Sequence, residues 1–169
     1  MEKELVAWLL STSLSAAVTG NAWVWPVLET LHFAGLSLLI GTIGLFDLRL
    51  LGMAKGLPPA LMARLIPWGM TGFAVNVVTG VLFFVGEPGN YVNNIAFYCK
   101  MAFVALAGIN VLVFYLTMAK RVEALGPGDD APFGAKVVAA ASLALWIGVM
   151  AAGRLLTFYH DHGIGQIIE

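Results

Sequence analysis

Glu29 and His32 stand three residues apart in WPVLETLHFAGLSLLIGTIGLF, an otherwise apolar stretch, so on a helix they share one face. Titratable side chains are costly in a lipid-length helix, and a pair of them marks a ligand, proton or redox site by default. Glu-x-x-His is the spacing of carboxylate di-iron bundles, which also need a second such motif and two further glutamates. The chain supplies one motif and no partner for it, so a di-iron or zinc centre is not expected. A b-type haem asks for less, namely one or two histidine ligands and basic groups near its propionates. His32 qualifies as the ligand to haem iron, with Glu29 orienting it, and Lys100 and Arg154 are the basic residues placed to hold an anionic group. A quinone head group is the other cofactor that this set suits.

His160, with Asp161 and His162 in the run YHDHG, makes a loose surface metal motif of a kind that binds zinc or copper. Copper would favour methionines alongside, and the seven methionines are scattered with none beside His160. As a second haem ligand His160 is poorly placed. It lies at or beyond the end of the last apolar segment, whereas His32 is six or more residues inside the first, at least about 9 Å at 1.5 Å per residue. A purely structural reading stands beside these: Glu29 paired with Arg154 or Lys100, His32 bonded to a neighbour, and the cluster locking helices together.

The elements that must position these residues follow from composition. Of 169 residues, 60% are hydrophobic and 11% charged, against about a quarter charged in a soluble domain. The expected fold is an all-α integral membrane protein, a four-transmembrane helix bundle forming one domain over 1–169. Apolar segments at 24–48, 65–86, 95–119 and 136–158 are each long enough to cross about 30 Å of hydrocarbon. Trp23, Trp25 and Pro26 open the first, Pro58 and Pro59 break the chain after it, and Pro67 and Trp68 open the second, as interfacial aromatics and N-terminal prolines do. Residues 1–20 carry acids at Glu2 and Glu4 instead of the basic start of a signal peptide. They are expected to stay as a short interfacial helix.

Gly69, Gly72, Asn76 and Gly80 form a small-residue stripe on the second span, and Gly148 and Ala152 a small pair on the fourth, both suited to close packing. Asn76 and Asn110 are expected to bond across helices. Asp47 and Arg49 sit at the far boundary of the first span, Arg49 as a headgroup anchor and Asp47 as its partner or that of Arg64. The single Cys99 excludes an internal disulfide and a cysteine cluster.

Arg49, Lys55, Arg64, Lys120, Arg121 and Lys136 flank the first and third connections, and residues 87–94 carry no basic residue. By the positive-inside rule both termini are periplasmic in a bacterial inner membrane. Glu29, His32, Lys100 and Arg154 then gather in the outer half of the bilayer. A net charge of −1 argues against nucleic acid. Membrane lipid, other membrane subunits or further copies of this chain are the expected partners.

The strings ETLHFAGLSLLIGTIGLFDLRLLG, LIPWGMTGFAVNVVTGVLFF, NNIAFYCKMAFVALAGINVLVF and SLALWIGVMAAGRLLTFY resemble a family of uncharacterised bacterial four-helix membrane proteins, over nearly all of the chain after residue 20. The chain is also distantly similar to the copper-resistance D membrane domain and to HemJ-type protoporphyrinogen oxidases, the latter haem b proteins. The resemblance implies a helical bundle with a histidine in its first span, here His32, and basic residues in later spans, here Lys100 and Arg154. Two functional expectations follow. One is a small redox subunit binding haem b or a quinone in the outer half of the bundle; the other is a non-catalytic accessory subunit of a larger membrane complex. A transporter fits less well, because the outer cluster has no counterpart at mid-membrane.

Overall fold

The computed structural model describes residues 2–162, with side chains to residue 158, and the chain folds there as helices without a strand. The N-terminal segment is two short helices, α1 (Glu2–Leu10) and α2 (Ser13–Thr19), where one was expected. The break falls at Thr12, whose hydroxyl caps α2 by accepting from the Ser15 amide at 3.2 Å, satisfying one of the orphan donors of a helix start. The first span is α3 (Val24–Leu50), and a turn of helix, α4 (Pro59–Ala63), leads into the second, α5 (Ile66–Gly86). The short α6 (Gly89–Val92) precedes α7 (Ile95–Thr117), and α8 (Ala119–Glu123) leads to α9 (Phe133–His162). Four of these helices are long and apolar enough to cross a membrane, and the chain is a multi-pass membrane protein. The third span ends two residues earlier than expected, because the helix breaks at Met118 and drops that side chain over Gly134. The fourth begins three residues earlier, its first turn closing on the Pro132 carbonyl.

The spans pair as two antiparallel hairpins, α3 with α5 and α7 with α9, which join where α3 packs on α9. Close approach within the first hairpin depends on glycine. A Cβ on Gly72 would lie 2.5 Å from the Gly35 carbonyl oxygen, and one on Gly35 would lie 2.8 Å from that of Gly72. On α9, Gly148 receives the ring of Phe103 from α7, and Asn110 donates across to the Val138 carbonyl at 3.1 Å. Asn76 instead donates to the Gly72 carbonyl of its own helix at 2.9 Å, its amide nitrogen packed against Gly35 of α3, where a Cβ would come within 2.7 Å of it. Leu39, Ala107, Trp146 and Val149 fill the middle of the bundle. Phe46, Leu50, Val122, Ala131, Ala135 and Ala139 fill one end. At the other end α1 and α2 pack on α5, and Asn94 both caps α7 and donates to the Leu156 carbonyl of α9 at 3.1 Å.

Arg49 is not a headgroup anchor. It is 1% exposed, with Nε donating to the Leu57 carbonyl at 2.5 Å and Nη2 to those of Asp129 and Gly126 at 3.2 and 3.5 Å. A fixed fork of donors thus ties together the two connections at that end, and the Gly128 amide reinforces the tie by donating to the Lys55 carbonyl at 2.8 Å. Gly52 turns the chain there with φ +102°, a conformation that favours glycine. Asp47 is buried too, and its partner is the Ser142 side chain of α9 rather than Arg49 or Arg64.

Candidate functional site

His32 lies eight residues into α3, about 12 Å along the helix axis at 1.5 Å per residue. It is half-buried and turned toward α5. Its Nδ1 is 2.7 Å from the Thr79 hydroxyl oxygen, and its ring meets Phe83 edge-on, with centroids 5.6 Å apart. Thr79 is 2% exposed. Its Oγ1 is also 2.8 Å from the Val75 carbonyl oxygen and 3.3 Å from that of Asn76. One residue further along α5, a Cβ on Gly80 would find His32 Cε1 at 4.0 Å as its nearest neighbour. The missing side chain leaves the imidazole edge uncovered on that side.

Lys100, from the other hairpin, is half-buried. Its chain runs over Gly153 of α9, where a Cβ would lie 3.8 Å from Nζ and 3.9 Å from Cε. From there the ammonium acts electrostatically on His32. His32, Thr79 and Gly80 from one hairpin and Lys100 and Gly153 from the other thus form one polar layer, with Gly153 giving the lysine chain its place.

Glu29 and Arg154 are not in that layer. Both side chains are exposed, and Thr79 occupies the place expected of Glu29 as the group that orients His32. Glu29 acts instead on Tyr91 of α6, whose phenol is pushed up to about 12 by burial first and then by the charges of Glu87 and Glu29. The metal-ligand expectation for His160 falls outside the described side chains. Among the described residues, no cluster of three or more histidine, cysteine or acidic side chains is arranged for a metal ion.

The layer is bounded toward the chain termini by aromatic rings. Phe84 of α5 stacks on Phe97 of α7 at 5.7 Å and 21°, and Tyr91 meets both at 5.8 and 5.5 Å. These rings are where α5 and α7 meet, since the main packing of each is on its hairpin partner. Sequence reading found His32 and Lys100 by charge and depth and missed Thr79 and Gly153. The signal for Thr79 was its place on the face of Gly72 and Asn76, seven and three residues before it. Gly153 follows Ala152 of the small pair already noted.

A family model described as a family of unknown function, DUF6644, matches residues 15–159. No curated protein and no solved structure matches the chain.

Proposed function

The chain belongs to the DUF6644 family, of unknown function, and from its geometry we propose that it is a small membrane redox subunit that holds a quinone head group at the His32 layer. The observation that carries this reading is that His32 and Lys100 reach one polar layer from opposite hairpins. An imidazole nitrogen and an ammonium in one layer suit a small ring carrying oxygens. Gly80 puts no side chain beside the imidazole, and Gly153 lets the Lys100 chain lie against α9. A head group on a lipid tail would reach the layer sideways between α5 and α7, which pack mainly on their own partners. By the positive-inside rule the layer lies in the periplasmic half of a bacterial inner membrane, and electrons pass between the head group and another membrane subunit.

The same histidine favours haem b as a second reading. A ligating imidazole holds its other nitrogen in a hydrogen bond, as Nδ1 is held by Thr79. His32 would hold the iron, and Lys100 a propionate.

Protein purified from its native membrane in mild detergent tests both. Quinone recovered by solvent extraction from the wild type, and lost in a folded His32→Ala variant, is the expected result. Reduced-minus-oxidised haem bands that vanish in the same variant would replace quinone by haem. A colourless, quinone-free protein would leave the accessory-subunit reading.

A further inference from the structure

The hydrogen bonds around Thr79 determine which ring nitrogen of His32 carries the proton. A threonine hydroxyl has one proton to give. Here the α5 backbone takes it, because Oγ1 lies 2.8 Å from the Val75 carbonyl oxygen with that of Asn76 at 3.3 Å, the back-bonding arrangement of a helical threonine. Carbonyl oxygens only accept, so the short contacts of Oγ1 to Val75 and to His32 are both hydrogen bonds only when Thr79 gives its proton to α5. With the proton on the carbonyl side, the threonine oxygen accepts in the 2.7 Å contact with His32 and Nδ1–H donates. A neutral imidazole carries one N–H, so Nε2 keeps its lone pair. Next to both nitrogens is Cε1, the atom that Gly80 leaves uncovered.

We infer that the site takes the hydroxyl-bearing, reduced form of the head group, a hydroquinone, which donates an O–H to His32 Nε2, with Thr79 as the positioning residue that fixes this tautomer. The inference rests on the quinone-site reading and adds the redox form that is bound. An oxidised quinone offers only carbonyl oxygens, and two acceptors facing each other make no hydrogen bond. Lys100 can donate to an oxygen of either form. The hydroquinone therefore gains one hydrogen bond that the quinone lacks, and the quinone leaves Nε2 unsatisfied in a half-buried place. One such mismatch in a low-dielectric site is worth about tenfold in affinity. Swapping the roles of Thr79 and His32 would leave the Val75 carbonyl competing for a proton already given away, so the preference belongs to the fold of α5 and not to the ligand.

The test uses the full chain in lipid nanodiscs at about pH 8, above the ordinary range of histidine, with 15N-labelled histidine. His32→Gln identifies the His32 signals. Without ligand, wild type is expected to show Nδ1 protonated and Nε2 bare, and Thr79→Val to show a mixture of tautomers. Thr79→Ser, which keeps the hydroxyl, restores the wild-type pattern. Titration with a short-chain benzohydroquinone and with its benzoquinone should give at least about tenfold tighter binding of the hydroquinone to wild type and to Thr79→Ser. In Thr79→Val that ratio falls toward unity. A wild-type Nε2–H tautomer, or quinone binding as tight as hydroquinone, overturns the inference and leaves the quinone site standing. Binding of neither form overturns the quinone site, and the hydroquinone preference with it.

Discussion

Glu29 and His32 are neighbours on one helix face, yet the fold sends them to different tasks. His32 is drawn toward α5 by a bond to Thr79 and an edge contact with Phe83. Glu29, one turn closer to the end of α3, stays exposed and acts on Tyr91. The phenol of Tyr91 therefore reports on that end of the bundle. Because burial and two nearby carboxylates disfavour its ionised form, its folded value of about 12 lies above the ordinary 10.0. The sign follows: the stabilising effect of the neutral phenol is fully present below pH 10 and is lost as pH rises toward 12. Ultraviolet titration should show a phenolate step near pH 12 that is absent in Tyr91→Phe and moves down in Glu87→Gln; a Glu87→Gln titration identical to wild type would mean that the carboxylate does not act there. At this scale His32 and Lys100 were legible, because charge inside an apolar run is conspicuous. Thr79 and Gly153 were not, because a threonine bonded to its own helix and a glycine in a small-residue helix look like packing until a partner is seen across from them. Arg49 misled for a related reason. Its place at a span boundary fits a headgroup anchor, and only the approach of two distant connections, near Leu57 and Asp129, supplies the carbonyls that bury it.

Helices are the best-read level of this chain, since length and hydropathy place all four spans to within a few residues. What apolar content does not encode is which helices touch. The small-residue stripe on α5 predicted a close neighbour without naming α3, and the choice is made by Gly35, which had not been singled out. Gly35 and Gly72 bring the two backbones together, and this approach sets the depth at which Thr79 meets His32. Gly72→Ala should therefore push α3 and α5 apart, since its Cβ would sit 2.5 Å from a backbone oxygen that cannot yield alone. A cost of about 1–3 kcal/mol is expected for overpacking of this kind, read as a lower thermal midpoint in detergent, together with weaker ligand retention at the His32 layer. Gly108→Ala is the control, because nothing lies within 4 Å of a Cβ there. Equal midpoints for the two variants would show that the α3–α5 approach contributes nothing to stability.

As a whole the molecule is polar at two levels that serve different ends. The Arg49 end is closed by an internal clamp and by Asp130, which pairs with Lys55 at 3.1 Å and Lys136 at 2.7 Å. Bonds to Lys136 and then Lys55 hold the exposed Asp130 carboxyl down to about 2, so this tie lasts into strong acid, with its contribution lost only as pH falls from 3.8 toward 2. Among the described residues the His32 end has no such clamp across its layer, and its hairpins meet through stacked rings. A bundle fastened at one end and joined by rings at the other is the arrangement that the proposed quinone site requires. Which face of the membrane that site lies at depends on orientation, to which the basic residues are the guide. Lys55, Arg64, Lys120, Arg121 and Lys136 all lie in or beside the connections at the Arg49 end, and basic residues in short connections are retained in the cytoplasm. In a Cys99→Ser background, a cysteine placed at Gly89 should react in intact cells with a membrane-impermeant maleimide, and one at Gly128 should react only after the cells are opened. The opposite pattern would put the His32 layer in the cytoplasmic half, so that a hydroquinone oxidised there would release its protons inward and not toward the periplasm. Labelling at both positions in intact cells would mean that the chain inserts in two orientations, and a redox subunit with one fixed partner would then be untenable.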